Sequence, residues 1–104
     1  MQFKRAMLNL VMSGDKTRTF RLKEPRYKVG STQAVQCGYR DKAHGRIEIL
    51  SIEQQRLGDV TQVQAEAEGF IHPLALVGYL IDINPKHRFT PDTVGWSIEF
   101  RLVK

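Results

Sequence analysis

The chain has 104 residues, and its 16 lysines and arginines against 11 aspartates and glutamates give a formal net charge of +5. This length fits one domain, residues 1–104, with its own hydrophobic core, and no apolar run approaches the ~20 residues that a membrane-spanning helix needs. The single cysteine, Cys37, excludes an intramolecular disulfide, and MQFKRAML is charged too early for a secretory signal, so we expect a cytoplasmic protein. The basic charge favours polyanionic partners, although a solubilising surface explains it equally well.

The first half of the chain predicts one helix followed by strands. Apolar residues recur with a helical period across residues 3–11, and Ser13–Gly14 ends that helix. Three segments have the alternation or composition of strands: residues 16–22, 31–39 and 46–57. In the third of these segments we expect a bulge near Leu50 and Ser51.

The second half predicts two short helices and a closing strand. Thr61 with Gln64 three residues later is a capping-box pattern, and the helix that it opens should run to about Glu68 and stop at Gly69. Pro73 is typical of the first turn of another helix. Residues 93–103 alternate between apolar and polar side chains as a half-buried strand does. Together these elements predict an α+β domain with a curled sheet, mixed in strand direction, or a small β-barrel, flanked by short helices.

Several common functional motifs are missing from the sequence. Three histidines and one cysteine show no zinc-ligand spacing, and neither a phosphate loop nor a nucleophile elbow is present. The two helices between residues 61 and 83 could form a helix-turn-helix, but they contain almost no lysine or arginine to contact bases and phosphates. We therefore expect no metal and no cofactor.

Basic residues cluster in the first half with tyrosines between them. The members are Arg18, Arg21, Arg26, Lys28, Arg40 and Lys42, with Tyr27 and Tyr39. Such a mixture can follow a phosphate backbone and stack single-stranded bases. The alternative is ordinary loop charge around two half-buried tyrosines.

The segment SGDKTRTFR resembles the signature of the ASCH domain family, which belongs to the PUA-like group. The signature joins a helix that ends in glycine to a Lys-Thr pair and an arginine, and the matching residues are Gly14, Lys16, Thr17, Thr19 and Arg21. Four later segments resemble later parts of the family in the same order: YKVGS, GRIEILSIEQQRLGDVT, AEAEGF and WSIEF. The resemblance therefore extends over essentially the whole chain.

This resemblance implies a small PUA-like β-barrel whose helices flank a cleft, and it implies an association with RNA. One branch of small bacterial family members hydrolyses the acetamide of N4-acetylcytidine. By resemblance to that branch, Lys16 would be the general base, Thr19 the nucleophile and Glu68 the proton donor. No metal takes part in such a scheme.

The proposed chemistry sets conditions on Lys16 and Thr19. A threonine hydroxyl is a weak nucleophile unless a base takes its proton, and a lysine is a base only when its pKa falls from ~10.4 towards neutrality. Regular strand geometry would put these two residues on opposite faces, because they are three positions apart. Lys16 must therefore lie in the turn before the strand, with its amine within hydrogen-bond reach of the Thr19 hydroxyl or one water away.

Three functions follow from the sequence. The first is a cleft that binds RNA or a modified nucleoside, and its predicted contact residues are Lys16, Thr17, Arg18, Thr19, Arg21, Arg26, Lys28, Tyr39, Arg40 and Glu68. The second is an amidohydrolase acting on N4-acetylcytidine through Lys16, Thr19 and Glu68. The third is a protein-interaction module that uses the edge of the barrel. The sequence leaves the oligomeric state open and is compatible with a monomer.

Overall fold

The computed structural model describes residues 1–103 as three helices and four strands. The helices are α1 (Arg5–Ser13), α2 (Gln62–Ala67) and α3 (Pro73–Ile83), and the strands are β1 (Arg18–Arg21), β2 (Thr32–Val35), β3 (Gly45–Arg56) and β4 (Val94–Val103). A single 3₁₀ turn, Leu57–Asp59, separates β3 from α2. Among these residues no helix has both the length and the apolar character needed to cross a membrane.

The four strands form one sheet in the order β1-β4-β3-β2. Every neighbouring pair is antiparallel, and the sheet curls into a half-barrel, which confirms the predicted α+β class and curled sheet. The strand directions are not mixed, and the parallel pairing is confined to one isolated bridge between Gln2 and Gln36. The register between β3 and β4 shifts between Ile49 and Ser51, so the predicted bulge is also confirmed. Such a bulge bends a strand and increases its twist.

Strand β1 begins later than the sequence predicted because the backbone N–H groups of residues 15–17 donate outside the sheet, although the Thr17 oxygen accepts from the Phe100 N–H of β4. The backbone N–H groups of Asp15 and Lys16 both donate to Leu10 O at 3.0 Å, and the Thr17 N–H donates to Ala67 O at 2.8 Å. These groups close the end of α1 and join it to the end of α2, so the sheet ladder starts only at Arg18. Lys16 therefore lies before the strand, as the chemistry of the sequence hypothesis required.

The turn that carries Lys16 depends on Gly14. This residue has φ 85°, in the left-handed region that favours glycine, and its N–H donates to the carbonyls of Leu10 and Val11. The helix therefore ends where the sequence predicted. The turn at Gly14 directs the chain back towards the sheet. The Lys16 side chain is buried there, between the end of α1 and the end of α2.

Two hydrophobic clusters lie on either side of β1. The first packs α1 against the centre of the sheet and includes Phe3, Leu8, Val11, Val35, Ile47, Ile49, Ile98 and Phe100. The second packs α2 and α3 against β1 and includes Phe20, Leu57, Val60, Ala65, Leu76 and Leu80. The helices of the second cluster begin as predicted, since Thr61 and Gln64 form a reciprocal capping box and Pro73 occupies the first turn of α3.

Gly95 allows β1 to approach β4 closely. A methyl group at Gly95 would overlap the ring of Phe20 and would lie 2.7 Å from the carbonyl oxygen of Arg21. The strand that carries Thr19 and Arg21 is therefore positioned partly by the missing side chain at this position.

We expect Gly95→Ala to destabilise the protein by about 1–3 kcal/mol, because overpacking forces side chains and backbone to shift. Urea unfolding measures the change. Gly78→Ala is the matched control, since a methyl group there meets no atom within 4 Å and alanine is about 1 kcal/mol more favourable than glycine in a helix. Equal effects of the two substitutions would contradict the close packing of β1.

Candidate ligand-binding cavity

A cavity of about 240 Å³ lies between the two hydrophobic clusters. Its apolar wall includes Phe3 and Met7 from the first cluster and Phe20, Leu76 and Leu80 from the second. Its buried or half-buried charged and hydroxyl side chains are Lys16, Thr19, Arg21 and Glu68, and the exposed Lys4 also lines it. Lys16 and Glu68, which are 52 positions apart in the chain, therefore line the same cavity, because α2 ends beside the turn that precedes β1.

The Lys16 side chain is buried, with 3% of its surface exposed. Its Nζ atom donates to the backbone oxygen of Glu68 at 2.9 Å and lies 5.9 Å from the centre of the Phe70 ring. Burial lowers the pKa of this amine from 10.5 to about 8; the charge of Glu68 opposes the shift, and the charges of Arg21 and Arg18 add to it. A measurable fraction of Lys16 is therefore neutral just above pH 7.

Glu68 is held by a buried ion pair with Arg18. Both side chains are 1% exposed, and Arg18 Nη1 donates to Glu68 Oε2. The other carboxylate oxygen, Oε1, accepts from the backbone N–H of Phe20 at 2.8 Å. Burial raises the pKa of the Glu68 carboxyl, and the charges of Lys16 and Arg18 oppose that increase, as do the donors from Phe20 and Arg18. Both carboxylate oxygens are thus occupied by protein donors.

The ion pair continues into the capping box of α2. Arg18 Nη2 donates to Gln55 Oε1 on β3, and Gln55 Nε2 donates to Gln64 Oε1 at 2.9 Å. The same Gln64 oxygen accepts from the N–H of Thr61 at 3.0 Å. This network fixes Arg18 between the sheet and α2.

Arg21 is fixed from the opposite side of the cavity. Its Nη2 atom donates to the backbone oxygen of Gln2 at 2.8 Å, and its guanidinium carbon lies 5.0 Å from the centre of the Phe3 ring. A longer contact of 3.4 Å joins Arg21 Nε to Thr19 Oγ1. Within residues 1–103 no carboxylate forms an ion pair with Arg21. Because Arg18 pairs with Glu68, the cavity cations that form no ion pair among residues 1–103 are Lys4, Arg21 and protonated Lys16.

The structure divides the residues that the sequence singled out. Lys16, Thr19, Arg21 and Glu68 line the cavity together, whereas Arg18 lies beside it in the buried ion pair. The remaining predicted contacts, Thr17, Arg26, Lys28, Tyr39 and Arg40, are exposed and do not line it.

The expected hydrogen bond between the Lys16 amine and the Thr19 hydroxyl is not formed between these described residues. Lys16 Nζ donates to Glu68 O instead, because the end of α2 lies directly beside the turn before β1. The Thr19 hydroxyl accepts the long contact from Arg21.

Gln55 and Tyr79 belong to the site but were not predicted from the sequence. Gln55 looked like one of several polar positions on β3, and nothing in its spacing indicates the contact with Arg18. Tyr79 lines the cavity, with its ring 5.3 Å from that of Phe70, and its helical spacing on α3 could have drawn attention to it. Over residues 1–103 no three His, Cys, Asp or Glu side chains gather as a metal site would require.

The comparison with protein families decides the family. The model of the ASCH domain matches residues 1–75. This chain belongs to the ASCH domain family. The matched region contains Lys16, Thr19, Arg21 and Glu68, and the resemblance inferred from SGDKTRTFR is therefore confirmed.

Solved ASCH structures share the fold at low sequence identity. An ASCH domain from Lactobacillus crispatus JV V101 is 20% identical with a TM-score of 0.72, over 93% of this chain and 70% of that chain. A protein from Enterococcus faecalis V583 is 22% identical with a TM-score of 0.76, over 94% and 67%. A mutant of the ASCH protein from Zymomonas mobilis is 14% identical with a TM-score of 0.69, over 97% and 66%.

At these identities the likeness shows the fold alone. This chain spans about two thirds of the length of each of the three solved proteins. Among curated proteins no sequence matches this chain. Any function of the cavity must therefore be inferred from its own side chains.

The ion pair gives a testable expectation for stability. Arg18→Met should cost about 3–5 kcal/mol, because it leaves the Glu68 carboxylate buried without its partner. The double variant Arg18→Met with Glu68→Leu should cost clearly less than the sum of the two single substitutions. Urea unfolding of the four proteins measures this coupling.

Arg56→Met is the control for removing an arginine. Arg56 pairs with Asp92 on the surface, where water and salt screen the two charges and the pair contributes little to stability. Additive single and double changes at Arg18 and Glu68 would show that the pair does not hold this part of the molecule together.

Proposed function

We propose that this ASCH domain binds RNA or a modified nucleoside in the cavity through Lys16, Thr19 and Arg21. The observation that supports it best is the pair of fixed cations, Lys16 and Arg21, that line one small cavity together with Lys4 and form no ion pair among residues 1–103. A cation at a partly buried position, fixed by protein contacts, is well placed to meet an anionic or carbonyl-bearing ligand.

The volume and lining of the cavity suit one planar base. Phe70 and Tyr79 supply an aromatic wall on which a base can stack. The volume of about 240 Å³ is below the roughly 300–1,000 Å³ of sites for drug-sized ligands. Lys16 and Arg21 would donate to carbonyl or phosphate oxygens, and the Thr19 hydroxyl can both donate and accept.

The remaining predicted contact residues have different parts in this proposal. Arg18 acts indirectly, because it holds Glu68 and therefore the carbonyl that accepts from Lys16. Thr17, Arg26, Lys28, Tyr39 and Arg40 are exposed outside the cavity and would meet the flanking parts of a longer RNA.

A second candidate function is hydrolysis of N4-acetylcytidine. It is favoured by the lowered pKa of Lys16, about 8, and by the presence of Thr19 and Glu68 in the same cavity. Neutral Lys16 would take the Thr19 hydroxyl proton as that oxygen attacks the acetyl carbon. Glu68 would protonate the departing cytidine amine as the C–N bond breaks, and water would release acetate from the acylated threonine.

Two contacts in the cavity favour binding over hydrolysis, because hydrolysis would require both to change. The Lys16 amine would have to leave the Glu68 carbonyl to reach Thr19. Glu68 would have to carry a proton although its carboxylate oxygens already accept from Arg18 and Phe20. The third candidate, a protein-interaction module, has the exposed apolar side chains Val63, Ile71 and Leu74 in its favour.

Calorimetric titration with cytidine, N4-acetylcytidine and a single-stranded RNA octamer tests the proposal. We expect binding of at least one nucleoside, weakened about tenfold or more by Lys16→Met and by Arg21→Gln, because each removes a charge-assisted hydrogen bond. Arg101→Gln is the control, since it removes one positive charge from β4 outside the cavity. Failure of all three probes to bind would contradict the proposal and favour the interaction module.

Chromatography of the same N4-acetylcytidine mixtures separates binding from hydrolysis. Release of cytidine and acetate by the wild type, lost in Thr19→Val, would support the second candidate. Binding without release would reject hydrolysis of this nucleoside and leave the binding proposal in place.

A further inference from the structure

A second, wider compartment adjoins the cavity. This outer groove has a volume of about 390 Å³, and its own lining includes Lys23, Tyr27 and Asn84 from the β1–β2 loop and the end of α3. Four residues line both compartments: Phe20, Arg21, Leu80 and Ile83. The cavity and the outer groove, together called the cleft, therefore adjoin at these four residues, with Arg21 at the junction.

Arg21 can accept a ligand at this junction without moving. Its contacts with Gln2 O and with the ring of Phe3 fix the guanidinium, and the long contact with Thr19 uses Nε. An arginine has five N–H donors, so most of them are left without an acceptor among residues 1–103. Arg21 Nη1, which has no acceptor among residues 1–103, is not one of the buried polar atoms that lack partners, so a ligand can reach it. A phosphate oxygen is the acceptor that this planar fork fits best.

Tyr27 gives the outer groove an aromatic surface that is already ordered. The side chain is half-buried and packs against the first hydrophobic cluster. Burial raises the pKa of its phenol, and the charge of Arg21 opposes that increase, so the phenol lies within electrostatic reach of the guanidinium. A ring that is already fixed can stack a base with little further loss of conformational freedom.

The charges of the outer groove restrict what it can hold. Lys23 and Glu24 both line it, so their charges largely cancel there. The favourable position for a phosphate is therefore the junction at Arg21, whereas the groove beyond suits a base or sugar.

We propose that the cleft holds two successive nucleotides of a single-stranded chain, with one base in the cavity, the next base on Tyr27 and the phosphodiester between them at Arg21. This inference rests on the proposed nucleoside binding and specifies its ligand class as an oligonucleotide. A free nucleoside fills only the first compartment.

A comparison of small ligands on the wild-type protein tests this inference. The nucleoside that binds more tightly, cytidine or N4-acetylcytidine, is compared with its 5′- and 3′-monophosphates. It is also compared with two dinucleotides, one with uridine on its 5′ side and the other with uridine on its 3′ side. We expect one dinucleotide to bind about tenfold more tightly than the corresponding monophosphate, since stacking of one base typically contributes that much. Calorimetry or fluorescence titration gives the dissociation constants.

Substitutions at Tyr27 assign that gain to the outer groove. Tyr27→Leu keeps apolar contact with the first cluster but removes the ring, so the dinucleotide should lose its advantage while the monophosphate keeps its affinity. Tyr27→Phe keeps the ring and should keep the advantage. Thermal unfolding of both variants checks that they remain folded, and the wild-type comparison needs neither variant.

Two results would overturn the inference while leaving the proposed function intact. One is a nucleoside that binds while both dinucleotides bind no more tightly than their monophosphates. The other is a dinucleotide advantage that survives in Tyr27→Leu. If no nucleoside, monophosphate or dinucleotide binds, the proposed function itself is wrong, and this inference is wrong with it.

Discussion

The buried ion pair between Arg18 and Glu68 is the constraint on which the cavity depends. Removing two charges from water costs several kcal/mol for each ion, and paired hydrogen-bonding groups offset that cost. Here Glu68 accepts from both Arg18 and the Phe20 N–H, and Arg18 also donates to Gln55, although Arg18 Nε is buried without a partner. The pair therefore joins the start of β1 to the end of α2, and this junction brings the Glu68 carbonyl to the Lys16 amine.

The same pair decides the charge of the site. Because Arg18 forms an ion pair with Glu68, the Glu68 charge balances Lys16 and Arg21 only in part. Arg21 stays positively charged at the junction with the outer groove, whereas burial lowers the pKa of Lys16. A site with these two cations and the exposed Lys4 is suited to holding an anionic or carbonyl-bearing ligand. It becomes suited to chemistry only if the lysine moves towards Thr19.

Much of the fold could be predicted from local patterns in the sequence. Gly14 after a helical stripe, the Thr61–Gln64 capping box and the alternation of residues 93–103 each depend on near neighbours, and each of these elements was found. The lengths of β1 and β2 were overestimated because their flanking residues bond to distant segments. Residues 15–17 bond to α1 and to the end of α2, and Gln36 bonds to the N-terminal segment.

The residues of the site could be predicted only where they fall within motifs that resemble the family. SGDKTRTFR and AEAEGF indicated Lys16, Thr19, Arg21 and Glu68, which the fold brings to one cavity. Strand alternation predicts that Arg18 and Arg21, three positions apart, lie on opposite faces, but the sequence does not show which face meets the cavity. In the structure Arg18 enters the ion pair and Arg21 lines the cavity. Gln55 was missed because its partner lies 37 positions away.

The most direct test of this account is the titration of the Lys16 amine, followed by NMR in protein with isotope-labelled lysine side chains. Lys16→Arg, which keeps the charge but removes the lysine signal, identifies the resonance. The account predicts that Lys16 loses its proton near pH 8, because its burial beside Arg21 and Arg18 outweighs the attraction of Glu68. A Lys16 amine that titrates near 10.5, with the exposed lysines, would contradict the buried position from which the whole site is derived.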